Sequence, residues 1–211
     1  MEAESVNEVN DAIQLRRWGG LKFDDPSPVL RRLREVELRP EWHQREPNER
    51  ALRGNSLKQL RERRCAALFC LGMSNALESP VQFAQDEADD HDFVTRHVAA
   101  DTMIFTPVQL KELVPARLNP AATLDSLLSG LSRYGDMGRT VVAIQWNRRE
   151  LLQLPLAREL ELQCGGVWLF GASSPDQREW FLIGDLLDRP IEYSFEYPPG
   201  VGEYTGAHVG S

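Results

Sequence analysis

The feature that most constrains the fold is an uninterrupted apolar run, VVAI, at residues 141–144 in the middle of the chain. It follows a segment with helical periodicity and has no polar residue at alternate positions. A strand with one face in water alternates between apolar and polar residues, whereas a strand covered on both faces does not. The run therefore predicts an α/β fold in which residues 140–145 form a central strand, with Val141, Val142, Ala143 and Ile144 buried.

Helical periodicity on both sides of this run predicts the helices that cover it. The longest helix begins near residue 56, where Asn55 or Ser56 can act as the N-cap, and ends before Pro80. Apolar spacing predicts further helices over about 28–38, 123–134 and 149–162. On the longest helix, one side is formed at i, i+3, i+4 spacing by Leu57, Leu60, Arg64, Leu68 and Leu71. We expect Leu60 and Leu68 to lie in the core.

Short segments of β character lie between these helices. Residues 81–84, 92–98 and 103–113 are separated by polar turns and predict an antiparallel three-strand meander. Residues 167–170 and 180–183 predict a later hairpin. The expected order is helix, three meander strands, helix, strand, helix, strand, strand. This order gives a mixed central sheet, with the meander beside a parallel strand and helices flanking both.

The organisation along the chain predicts one domain with two polar extensions. Residues 1–55 are expected to form a polar N-terminal arm with one short helix, docked by Trp18, Phe23 and Trp42, because large aromatic side chains in a polar segment bury against a neighbouring surface. Residues 56–197 form the predicted α/β core, and residues 198–211 a flexible Gly-rich tail. Apolar residues make up 42% of the chain, which suits a packed core.

Charge and cysteine content narrow the classes of function. The net charge is −8, but residues 1–64 hold 14 Lys and Arg against 12 Asp and Glu, and the remainder holds 10 against 20. An acidic body disfavours nucleic-acid binding unless a local basic groove or a bound cation supplies the attraction.

The three cysteines, Cys65, Cys70 and Cys164, lack metal-ligand spacing, and the sequence predicts that they are buried free thiols. No secretory signal or membrane-length apolar run is found, so we expect a cytoplasmic protein.

Three polar residues of the meander form a candidate site. Asp92 begins the second strand, and Gln109 and Lys111 lie two apart on the third, where side chains at i and i+2 share a face. A carboxylate and an amide oxygen are hard ligands suited to Mg²⁺ or Mn²⁺, and a bound metal ion activates water. A lysine beside them can orient that water or stabilise charge on a phosphate.

The segments HDFVTRH and FTPVQLKEL, set in the predicted order of elements, resemble the PD-(D/E)XK nuclease superfamily over about residues 56–146. The third-strand motif here is QxK, and His91 stands where the motif's proline would be. The resemblance implies a restriction-endonuclease-like fold and Mg²⁺-dependent hydrolysis of nucleic acid. It also implies that Asp92 and Gln109 bind metal, that Lys111 is catalytic, and that Glu62 on the first helix is a candidate additional acid.

A structural interpretation of the same residues stays open. In it Asp92 caps a turn and Gln109 and Lys111 form a solvated strand face, so that the chain is a catalytically inactive α/β module whose arm binds a protein partner.

The acidic run at 86–92 lacks the glycine and final glutamate of a calcium loop and predicts a solvated turn. His91 and His97 are predicted to be structural or solvent-facing. Phosphate-loop, dinucleotide-binding, HExxH and GxSxG motifs do not occur.

Overall fold

A seven-stranded mixed sheet forms the centre of the protein. The computed structural model describes residues 12–44, 57–86, 91–150, 152–154 and 162–200. The strands are β1 (Gln82–Gln85), β2 (Phe93–Ala99), β3 (Thr102–Leu113), β4 (Val141–Trp146), β5 (Gly166–Ala172), β6 (Glu179–Gly184) and β7 (Ile191–Glu196). They lie side by side in the order in which they occur along the chain.

The direction of the strands changes twice across the sheet. β1, β2 and β3 pair antiparallel, which confirms the predicted meander. β3, β4 and β5 pair parallel, so the chain crosses a face of the sheet between them. β5, β6 and β7 pair antiparallel, which confirms the predicted hairpin and extends it by one strand. β4 is therefore a central strand with a parallel neighbour on each side.

Among the described residues, the helices beside the sheet include α1 (Pro26–Glu37), α2 (Pro40–His43), α3 (Lys58–Ala76) and α4 (Leu124–Leu131). A short 3-10 helix continues α4, and residues 12–19 are also helical. Local sequence explains two of the helix starts. Asp25 accepts a hydrogen bond from the Ser27 amide before α1, and Thr123 and Ser126 form a reciprocal capping box before α4.

The two faces of β4 belong to two separate cores. Ala143 packs with residues of α1, α3 and β5 in the larger core, whereas Val142 and Ile144 pack with α4 in the smaller one. All three side chains are fully buried, and Val141 is partly buried. Burial of Val142, Ala143 and Ile144 confirms the prediction that the apolar run forms a strand covered on both faces.

α3 is buried more widely than a single stripe predicts. Every residue of Cys65–Cys70 is buried, and so is Gly72. The helix packs against the sheet on one side and α1 on another, so its centre has no solvent-facing side. A Cβ atom at Gly72 would lie 2.9 Å from the Phe195 ring, which explains the glycine. Leu68 is fully buried as predicted, but Leu60 is only partly buried.

The N-terminal segment takes part in the packing of the sheet. α1 places Leu30, which is fully buried, in the larger core, and the Tyr197 hydroxyl donates to the Leu30 carbonyl at 3.1 Å. Trp18 and Trp42 are buried, and Phe23 packs against Phe105. These contacts confirm the predicted anchors and show that α1 shares a core with α3.

Two predicted elements also differ from the structure. β7 was not predicted, although the residues at 191–196 alternate between apolar and polar as an antiparallel strand does. The helix expected over 149–162 falls mostly outside the described residues, and at residues 149–150, 152–154 and 162 the backbone is not helical. In the described ranges, no helix combines the length and the apolar character needed to cross a membrane.

Replacing Leu68 by Ala should lower the free energy of unfolding by about 2–5 kcal/mol, because it removes a fully buried side chain from the larger core. Leu77→Ala, at the exposed end of the same helix, is the matched control and should change stability far less. Urea denaturation of both variants measures the difference. Equal stability of the two variants would contradict the assignment of this core.

Candidate functional site

The candidate site lies where β2 begins beside the middle of β3. β2 starts at Phe93, which is paired with Val108. β3 continues past this point through Gln109–Leu113, paired with β4 on its other side. Backbone groups of β3 that face the β2 side at these positions need partners other than β2, since strand pairing has stopped.

Asp92 supplies one of those partners. Its backbone amide donates to the Val108 carbonyl at 2.9 Å, and its side-chain Oδ2 accepts from the Leu110 amide at 2.6 Å. The short distance is typical of a hydrogen bond to a charged acceptor. The carboxylate of Asp92 is thus fixed against β3 at residue 110, between Gln109 and Lys111 in sequence.

Gln109 and Lys111 project to the face of the sheet that α4 covers. Val108 and Leu110 pack in the larger core with α3, so the alternating residues point the other way. The register agrees, since Gln109 pairs with Val142 and Lys111 with Ile144, both in the α4 core. The side chains of Gln109 and Lys111 are partly buried, whereas Asp92 is exposed.

Glu62 occupies a different place from the other candidates. It lies on α3, which packs on the opposite face of the sheet from Gln109 and Lys111. Its carboxylate is 3.5 Å from the Lys58 ammonium one turn away on the same helix. The structure therefore brings Asp92 to the Gln109–Lys111 segment but does not bring Glu62 there.

A buried polar cluster adjoins Asp92 in the chain. Asp86 Oδ2 accepts from Arg17 Nη2 at 2.6 Å and from Trp18 Nε1 at 3.0 Å, and it lies 3.2 Å from His91 Nε2. The His91 ring also meets Trp18 edge-on. His91 is buried and not solvent-facing, and these contacts hold the residue that precedes Asp92.

The solvated turn predicted at 86–92 is wrong at Asp86, which is buried with the partners named above. Residues 87–90 lie outside the described residues. Burial alone raises the pKa of the Asp86 carboxyl, but the hydrogen bonds from Trp18 and His91 and the charge of Arg17 outweigh it, and the pKa is lowered overall. Trp18 in the polar arm was predicted to be an anchor, but local sequence patterns do not show that Asp86 is the residue it contacts.

All three cysteines lie in surroundings that raise the pKa of the thiol, because burial disfavours the thiolate. All three are free thiols; Cys65 and Cys70 are buried and Cys164 is partly buried. Cys65 Sγ donates to Gln145 Oε1 at 3.2 Å. Burial raises the pKa of the Cys65 thiol to about 12, so the reactive thiolate is scarce near neutral pH. Cys65 and Cys70 belong to the packing of α3, as predicted, whereas Cys164 was predicted to be buried and is only partly buried.

Asp92 and Gln109 carry the oxygen donors of the predicted metal site. Within the described ranges, no group of three or more His, Cys, Asp or Glu side chains is placed to hold a metal ion. Mg²⁺, however, is commonly held by one or two carboxylates together with waters and substrate phosphates. One carboxylate and one amide oxygen therefore fit such an ion, with less charge than a two-carboxylate site.

Comparisons of the chain with protein-family models, with curated proteins and with solved structures found no match.

The contacts of Asp86 predict a pH-dependent contribution to stability. Since folding lowers its pKa, the contribution is complete above the unfolded value of about 3.9 and is lost as the pH falls through the folded value. The stability difference between wild type and Asp86→Asn should therefore be constant from neutral pH to about pH 5 and shrink below about pH 4. Urea denaturation across this range measures it.

Asp188→Asn, at an exposed position between β6 and β7, controls for the loss of one negative charge. A difference between wild type and Asp86→Asn that stays constant down to pH 3 would show that the Asp86 carboxylate is not stabilised by these partners.

Proposed function

We propose that the protein is a metal-dependent nuclease, or a descendant of one, that acts on nucleic acid. The observation that carries the proposal is the bond between Asp92 Oδ2 and the Leu110 amide, which holds the acid of one strand against the QxK segment of the next. The order of α3, the β1–β3 meander, α4 and the parallel strand β4 supports a restriction-endonuclease-like arrangement.

Asp92 and Gln109 are the residues that would hold the metal ion, Mg²⁺ or Mn²⁺. A carboxylate has about four lone-pair sites, so the bond from Leu110 leaves Asp92 oxygen sites for a cation. A bound divalent cation would supply charge that makes water acidic and offsets the charge of a phosphate. The hydrogen bond from Leu110 also restricts rotation of the Asp92 side chain, which reduces the entropy lost when it binds.

Lys111 is the residue that would act on the reacting phosphate. Its ammonium group carries three donors and a full positive charge, and strand alternation places it on the same face as Gln109. Partial burial strengthens its interaction with a phosphate, because the local dielectric is lower than that of water. Lys111 would orient the attacking water or stabilise charge that develops on the phosphate oxygens.

Gln109 in place of an acid sets the expected strength of the site. The amide oxygen is a neutral ligand, so the pair carries a single negative charge from Asp92. We expect weak cation binding without substrate and tighter binding when substrate phosphates complete the coordination. Gln109→Glu restores a second carboxylate and should raise the affinity for Mn²⁺.

A catalytically inactive interaction module is the alternative, and the same Asp92 contact favours it in one respect. A carboxylate that caps the Leu110 amide at the end of a ladder is also a complete structural role. The arm offers a protein partner little aromatic surface, because Trp18 and Trp42 are buried within the protein, as their role as anchors requires. A measurement of cleavage separates the two functions.

Lys111→Ala should reduce Mg²⁺- or Mn²⁺-dependent cleavage by about 100-fold or more, the usual cost of removing one group that stabilises a charged transition state. The substrates are plasmid DNA, a single-stranded DNA and a single-stranded RNA, each with millimolar metal or with EDTA. Lys22→Ala, at an exposed position of the arm, is the matched control and should cleave at the wild-type rate.

Equal cleavage by wild type and Lys111→Ala would reveal a contaminating nuclease and refute the role of Lys111. No cleavage by wild type or by Gln109→Glu, on any of the substrates, would favour the inactive module.

A further inference from the structure

A groove of about 1030 Å³ runs along the carboxyl ends of the parallel strands β3, β4 and β5. Each strand contributes residues that follow it: 115–117 after β3, 147–150 after β4, and 173–175 with Gln177 after β5. In open α/β sheets, ligands bind outside the carboxyl ends of parallel strands. The groove is at the upper end of the range of small-molecule pockets, about 300–1,000 Å³, and it has room for an extended ligand.

Arg148 holds two walls of the groove together. Its Nε donates to the Val114 carbonyl at 3.0 Å and its Nη2 to the Asn119 carbonyl at 2.8 Å, which joins the loops after β3 and β4. Its Nη1 lies 3.2 Å from Glu150 Oε2, so the one acidic group among the described lining residues is paired. The Arg148 side chain is only 5% exposed, and its role is therefore to fix the shape of the groove.

Arg117 and Arg149 give the groove its positive charge. Both side chains are exposed and line it, one on the loop after β3 and the other on the loop after β4. This local charge contrasts with the acidic balance of residues 65–211. Exposed guanidinium groups on a fixed scaffold match phosphates, with which they form bidentate hydrogen bonds.

Trp146 and Phe181 line the same groove and are partly buried. Cationic side chains interleaved with aromatic rings are the surface that binds unpaired nucleic acid, because phosphates contact the cations and exposed base faces stack on the rings. A duplex cannot stack its bases in this way, since they are already paired and stacked. The combination therefore favours a single strand over a duplex.

The groove opens at the end of the sheet towards which the candidate site lies. Lys111 is two residues before Leu113, the last residue of β3, a rise of about 7 Å along the strand. The groove therefore begins about two residues of β3 beyond Lys111, and Asp92 is bound at Leu110, one residue further back along the strand.

We propose that this groove binds an unpaired segment of nucleic acid, with Arg117 and Arg149 contacting phosphates and Trp146 and Phe181 stacking with bases. The identification of the ligand as nucleic acid rests on the proposed function, whereas the preference for a single strand comes from the groove itself.

The test is fluorescence anisotropy with a labelled 16-nucleotide oligothymidylate and a 16-base-pair duplex, in EDTA so that binding is measured without cleavage. Wild type should bind the single strand more tightly than the duplex. Arg117→Gln/Arg149→Gln should weaken binding of the single strand at least about tenfold at moderate salt. It should also reduce the slope of log affinity against log salt by about 1.4, from two lost phosphate contacts.

Arg133→Gln/Arg189→Gln is the matched control, because it also removes two positive charges from exposed positions. Arg133 precedes β4 and Arg189 follows β6, at the end of the sheet away from the groove, so this variant should retain wild-type affinity. Circular dichroism and thermal melts check that both double variants fold. If the groove variant does not fold, each single substitution should still reduce the salt slope by about 0.7.

Equal affinity of the two double variants, tighter binding of the duplex, or no binding by wild type would overturn the groove assignment. Cleavage that depends on Lys111 would leave the nuclease proposal intact in each of these cases. Conversely, single-strand binding that is lost only in Arg117→Gln/Arg149→Gln, in a protein that cleaves no substrate, would support the groove and refute the nuclease.

Discussion

The parallel pairing of β4 with both β3 and β5 is the constraint on which the rest of the structure depends. A strand that is apolar on both faces needs a covering layer on each, and the chain supplies α3 on one side and α4 on the other. Parallel strands also require crossover connections, which place the carboxyl ends of β3, β4 and β5 at the same end of the sheet. Because of this topology, the groove and the candidate site both lie towards that end.

The candidate site follows from the unequal lengths of β2 and β3. Where β2 begins, Asp92 replaces a strand partner by accepting from the Leu110 amide, and the Asp86 cluster fixes the residue before it. Asp92 meets the structural need for a backbone partner, and in the proposed nuclease the same side chain would also supply the positioned carboxylate. The site is therefore compatible both with a nuclease and with an inactive descendant, and the neutral side chain at Gln109 is the feature that separates it from a site with two carboxylates.

Sequence patterns were sufficient for elements with strong periodicity and insufficient for contacts between distant segments. The β4 run, α4 and the meander were predicted because each has a local signature of burial. β7 was missed because its alternation is short and stands next to a proline-rich segment. The buried Asp86 was predicted to be solvated because its partners Arg17 and Trp18 are almost 70 residues away. For Glu62, helical spacing gave no information about which face of the sheet α3 covers.

The central claim is that Asp92 and the QxK segment form a cation site, and paramagnetic broadening by Mn²⁺ in amide NMR spectra tests it most directly. Substoichiometric Mn²⁺ should broaden the resonances of Leu110 and its neighbours in β3 first. Asp92→Asn, which keeps an acceptor for the Leu110 amide but removes the charge, should lose this broadening while the fold is retained. Equal broadening in wild type and Asp92→Asn, or broadening centred elsewhere in the protein, would contradict the account.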